Sequence, residues 1–171
     1  MKKTIAMISA LAMMTAMAVP MGVFAEDTTK TLDKTTGSGT TEVSYDVAST
    51  YTITIPAGVT LSSDTDKTAT IGAAANLMLE DGKSVVVKLT GATNTSSGTT
   101  FNAKNSTGNS TATYTIKKGD TPIGVDSTNN TVATFGTSTQ AQTQELTFSK
   151  AENATYAGAH TEQLTFTISV E

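Results

Sequence analysis

The residue types that carry most enzymatic chemistry are scarce in this chain, and the few present are poorly spaced for it. His160 is the single histidine among 171 residues, and there is no cysteine. A zinc site would have to draw its other ligands from carboxylates, and a His-Glu-x-x-His pattern is impossible. Thiol nucleophiles, disulfides, haem thioethers and lipidation of an N-terminal cysteine fall with the missing thiol. Serine chemistry lacks both the Gly-x-Ser-x-Gly elbow and the Ser-x-x-Lys arrangement. A retaining glycosidase needs two facing carboxylates, which 15 acids could supply, together with a stacking platform for the sugar. The chain has no tryptophan and four tyrosines, most of them in phase with faces expected to be buried. Asp64-Thr65-Asp66 offers two carboxylates to calcium without the further ligands and closing glutamate of a loop site. His160 and Glu162 share the even phase of Leu164, Phe166, Ile168 and Val170, and are expected at the solvated start of a strand whose later residues enter the core. The expectation is a non-enzyme, with no catalytic residue, cofactor or metal.

The elements that would position these residues read as strands. Val43, Tyr45, Val47, Tyr51, Ile53 and Ile55 occupy odd positions with polar residues between them, until Pro56 interrupts the ladder. Further runs lie at residues 68–71, 84–90, 111–117, 131–135, 144–149 and 163–170, with a short one at 100–103 inside the polar stretch 91–108. Asp81-Gly82, Ser97-Gly98, Gly119-Asp120, Asn129-Asn130 and Ala157-Gly158 are the turn signals between them. Only Ala73 to Leu79 could make a short helix. Many short strands without room for crossover helices predict an all-β chain, an immunoglobulin-like antiparallel β-sandwich of about 7–10 strands.

Threonine supplies about a fifth of the residues, several times the usual share, and its branched carbon favours strands while its hydroxyl keeps the outer face wet. Thr52/Thr54, Thr68/Thr70, Thr111/Thr113 and Thr165/Thr167 also offer the paired hydroxyls of an ice-binding face, but their separations are irregular. Five Asn-x-Ser/Thr sequons, at Asn94, Asn105, Asn109, Asn129 and Asn153, are expected by chance in such a composition.

Location is written at the start. Lys2-Lys3 precede an apolar run from Ile5 to Ala18, then Pro20 and the small-residue pair Val23 and Ala25. This predicts a signal peptide over 1–25 with cleavage between Ala25 and Glu26, a flexible Thr/Gly/Ser-rich leader over 26–40 and a single domain over 41–171. No later apolar run is long enough to span a bilayer, so no membrane span is expected after signal removal. The chain has formal net charge −4 and no arginine, and loses two lysines with residues 1–25, which argues against nucleic acid as a partner.

Two stretches carry a resemblance. Tyr51-Thr52-Ile53-Thr54-Ile55-Pro56, and the closing run from Tyr156-Ala157-Gly158 through Leu164-Thr165-Phe166-Thr167-Ile168-Ser169, look like the first and last strands of small β-sandwich surface proteins of Gram-positive bacteria. The closing strand, with Leu164, Phe166 and Ile168, resembles that of WxL-type cell-surface domains and of pilin-like subunits. The Trp-x-Leu motifs themselves are absent, and Phe166-Thr167-Ile168 stands where one would be. The resemblance implies a secreted, cell-surface structural or adhesive protein whose partners are other surface proteins, cell-wall polymer or copies of itself. The alternative is a soluble extracellular binding module for glycans or a host protein. If the chain polymerises, the strand it would lend is 41–47, with Val43, Tyr45 and Val47 as the apolar row.

Overall fold

The computed structural model describes residues 43–126 and 128–171. The predicted signal peptide, its cleavage at Ala25 and Glu26, and the leader 26–40 lie outside the described residues.

Ten strands form, and no helix does, among the described residues: β1 (Ile53–Thr54), β2 (Lys67–Ala73), β3 (Ser84–Ala92), β4 (Thr100–Asn105), β5 (Thr111–Lys118), β6 (Thr121–Ile123), β7 (Thr131–Gly136), β8 (Gln142–Phe148), β9 (His160–Thr161) and β10 (Leu164–Val170). Eight coincide with predicted runs, and β5 shows the period-two alternation plainly, with Ala112, Tyr114 and Ile116 inward and threonine outward. β6 and β9, of three and two residues, are too short to show a period. Gly82 at φ +75° and Gly119 at φ +57° turn the chain into β3 and β6, conformations that side chains with a Cβ disfavour.

All strand pairs are antiparallel. One sheet runs β1-β2-β8-β5-β4-β9, with β6 also on β5, and the other runs β10-β3-β7. Ile71, Phe101, Tyr114, Ile116, Leu146 and Phe148 from the first sheet share one core with Val85, Val87, Leu89, Val132 and Phe135 from the second. Two antiparallel sheets on a common core are consistent with a β-sandwich. Phe101, Tyr114 and Phe148 stack in sequence, with ring centroids 5.4 and 6.4 Å apart.

The structure corrects four expectations. Residues 73–79 are not helical: Ala73 ends β2, Asn76 takes a positive φ of 61°, and Leu77 and Met78 bridge to Ser138 and Thr50. Cross-chain pairing outweighs the helix propensity of the alanines. Residues 43–49 form no strand, and pairing begins at Thr50. Tyr45 and Tyr156 are exposed, so burial holds for Tyr114 and in part for Tyr51. The even face of β10 does turn inward, but Leu164, Phe166 and Ile168 are only half-buried, and Val170 is exposed.

A polar junction at two sheet crossovers is the candidate functional site

The chain passes from the smaller sheet to the larger between β3 and β4, and returns between β9 and β10. These two crossovers run side by side. Thr93 N–H donates to the Gln163 carbonyl, Gln163 N–H donates to Thr93 Oγ1, and Asn94 Nδ2 donates to the Thr161 carbonyl, each at 3.0 Å. An open cleft of about 600 Å³ lies against them, lined by residues 93–94, 104–105 and 161–163.

Glu162 closes the floor of the junction. One carboxylate oxygen accepts Thr95 Oγ1 at 2.8 Å and the Asn94 N–H at 3.2 Å; the other accepts the Asn102 N–H and the Tyr114 hydroxyl, both at 3.0 Å. Four donors from the β3–β4 loop, β4 and β5 thus converge on one side chain of the return crossover. Thr95 is buried and gives the Asn102 N–H a second acceptor at 3.0 Å. Burial, then the negative charge of Glu162 and the hydrogen bond to it, push the Tyr114 phenol far above its ordinary range. Tyr114 therefore stays a neutral donor, the role its ring in the core and its hydroxyl at the junction require. Glu162 has little acceptor capacity left, which suits a clamp better than a general acid or base.

A second fastening lies beside the first. Ser110, 2% exposed, accepts the Thr155 and Tyr156 N–H groups at 3.0 and 3.1 Å and lies 2.8 Å from His160 Nε2. A serine oxygen has two lone pairs and one proton, so with both lone pairs engaged its O–H must donate to Nε2. His160 Nδ1 faces the Gly158 carbonyl at 3.0 Å and must carry the ring proton. The spacing resembles a nucleophile and its base. Here, however, the serine is enclosed and saturated by backbone amides, and the pair fastens segment 152–160 over β5 and β4.

The predicted residues fall in different places. His160 and Glu162, expected as a wet strand start, are half-buried anchors of these two fastenings. Leu164, Phe166 and Ile168 line the inner face of β10. Val43, Tyr45 and Val47, at 90%, 90% and 46% exposure, lie outside every strand. Asp64 meets Ser62 and Ser63, while Asp66 accepts the Lys150 N–H. Among the described residues no three His, Asp or Glu side chains gather as a metal site. The threonine pairs do not form unbroken ranks, since Thr70 stands opposite Glu145 and Thr54 opposite Gly72. Sequence reasoning missed Thr95, Asn102, Ser110 and Tyr114 as partners. Their one available signal was the even phase that carries His160 and Glu162 inward with Leu164.

Comparison of the chain with protein-family models, with curated proteins and with solved structures finds no match in any of the three.

Proposed function

We propose that this chain is a secreted, immunoglobulin-like β-sandwich that serves at the surface of a Gram-positive bacterium as a structural or adhesive subunit, joining its neighbours by lending residues 41–47 as a strand. The observation that carries the reading is the row Val43, Tyr45 and Val47. It alternates as a half-buried strand should, yet it stays exposed and unpaired in its own domain. The charged-then-apolar opening of residues 1–25 supports export. The resemblance of the closing strand to WxL-type and pilin-like surface domains supports the location, without carrying over attachment by Trp-x-Leu.

Light scattering on the chain from Glu26 and on one shortened to begin at Ser49 tests it. Concentration-dependent association of the longer chain only, with a peptide of residues 41–47 raising the melting temperature of the shorter one, is the expected result. A monomeric longer chain and an inert peptide would sink the reading.

A second reading, a binding module for glycans, is favoured by the open polar cleft and by Tyr156, 63% exposed, on the segment that Ser110 fastens. A monomer whose residue 93–94 and 161–163 amide signals shift on titration with cell-wall oligosaccharide would replace the first reading with this one.

A further inference from the structure

Among the described residues five strands pair on one side only, and four of them are too short or partly blocked for further pairing. β1 and β9 have two residues and β6 three, too short to template a partner. β7 has six residues, but side chains of the larger sheet occupy the outward carbonyls at both its ends: Lys118 Nζ donates to the Thr131 carbonyl at 2.9 Å and Gln142 Nε2 to that of Gly136 at 2.6 Å. β10 differs. Its seven residues contain no charge and no proline, and the register shift between Thr165 and Phe166 leaves the extra residue, Thr90, in β3.

The direction of its free groups follows from the ladder. Ser84 and Glu171 exchange both backbone hydrogen bonds, so Glu171, Ser169 and Thr167 turn their N–H and C=O groups toward β3. Phe166, Ile168 and Val170 must then turn theirs outward. The inward side chains of Phe166 and Ile168 are also the ones left half-buried, so edge and core are incomplete at the same place.

We infer that the outer edge of β10 accepts residues 43–47 of a second copy of this chain, which extends the smaller sheet to four strands. The inference rests on the strand-lending reading and specifies its acceptor. Among the described residues both halves stay unsatisfied, the row exposed and the edge open, which points to a neighbour as the occupant. In the paired state Val43, Tyr45 and Val47 flank Leu164, Phe166 and Ile168 on the inner face, while Ser44 and Asp46 face solvent.

The absence of cysteine makes the test clean, because any disulfide is an engineered one. The chain from Glu26 carrying Ser44→Cys is mixed with chains carrying Thr165→Cys, Thr167→Cys or Ser169→Cys on the outer face of β10, and separately with one carrying Thr134→Cys on β7. Thr165, Thr167 and Thr134 are exposed and Ser169 half-buried, so the fold should tolerate each change. At about 10 μM protein, pairing that holds two thiols at roughly millimolar effective concentration should make the best β10 disulfide form about a hundredfold faster than the β7 control. If the chain associates by light scattering but Ser44→Cys reacts equally with Thr134→Cys, or with none of them, the acceptor is wrong while the assembly reading stands. A chain that neither associates nor cross-links refutes both. An intramolecular disulfide in a monomer carrying Ser44→Cys and Thr167→Cys together would overturn the second copy as occupant.

Discussion

β7 and β10 flank the same central strand, β3, yet one is finished and the other is not. In β7, Val132 and Ala133 are fully buried and Phe135 is 2% exposed. The short link 137–141 leads directly into β8, and Lys118 and Gln142 reach from the larger sheet to the Thr131 and Gly136 carbonyls at the two ends of β7. In β10 the corresponding side chains are half-buried, and polar contacts hold mainly the two ends. The Glu162 junction lies just before Leu164, and the Lys88–Glu171 ion pair just after Val170. The difference teaches that alternation fixes which way a residue points, while depth depends on whether another layer lies beyond it.

The largest effect expected from this difference is in the two phenylalanines. Phe135→Ala empties a closed core site and should cost about 3–5 kcal/mol. Phe166→Ala removes a ring already partly in water and should cost about half as much in the isolated chain. Urea melts of both variants decide it, and equal losses would mean that β10 is as well covered as β7.

Much of this fold was legible because it is local. The odd row from Tyr51 to Ile55, the runs of β2, β3, β5, β7, β8 and β10, and the glycine turns follow from period two and from φ. The junction was not legible, because Glu162 meets Asn102, Tyr114 and Thr95 across 48 to 67 residues, and nothing in the spacing of those residues marks the meeting. Ser110 stood in the sequence as part of a sequon, and only folding brings His160 to it. The expected first strand over 43–47 had the right alternation but finds no partner in its own domain, and alternation alone cannot supply one.

A middle-sized effect is expected where β10 is held. Glu162→Gln keeps the shape of the clamp but sets an amide NH₂ against donors on one side. The hydroxyls of Thr95 and Tyr114 can turn to accept, whereas the N–H groups of Asn94 and Asn102 cannot. The loss should be about 1–3 kcal/mol. Tyr114 supplies an independent readout. Its phenol is raised in the folded chain, so its contribution to stability is complete below the unfolded value near 10.0 and is lost as pH climbs above it. Removing the charge of Glu162 relieves only the smaller causes of that shift, since burial is the largest. The tyrosinate absorbance attributable to Tyr114 should therefore emerge at a lower pH in the variant, though still above 10.0. An unchanged alkaline titration would separate Tyr114 from the clamp and leave β10 anchored by packing alone.

The smallest effect should come from the far end of β10. Lys88 Nζ lies 2.6 Å from Glu171 Oε1, and this hydrogen bond and charge, helped by Ser169, hold the carboxyl below its ordinary value of 4.5. A carboxyl lowered on folding contributes stability above its unfolded value and loses it as pH falls through the folded one. Wild type should therefore exceed Glu171→Gln slightly in urea midpoint at neutral pH, and the gap should close as the solution is acidified below 4.5. Both side chains are well exposed, so strong salt should shrink the gap as well. Because Glu171 also exchanges two backbone bonds with Ser84, the substitution leaves the ladder in place and isolates the charge. A gap that ignores both acid and salt would show that the ion pair contributes nothing electrostatic. The open strand would then depend, in the single chain, on the Glu162 junction and on the half-buried row of Leu164, Phe166 and Ile168.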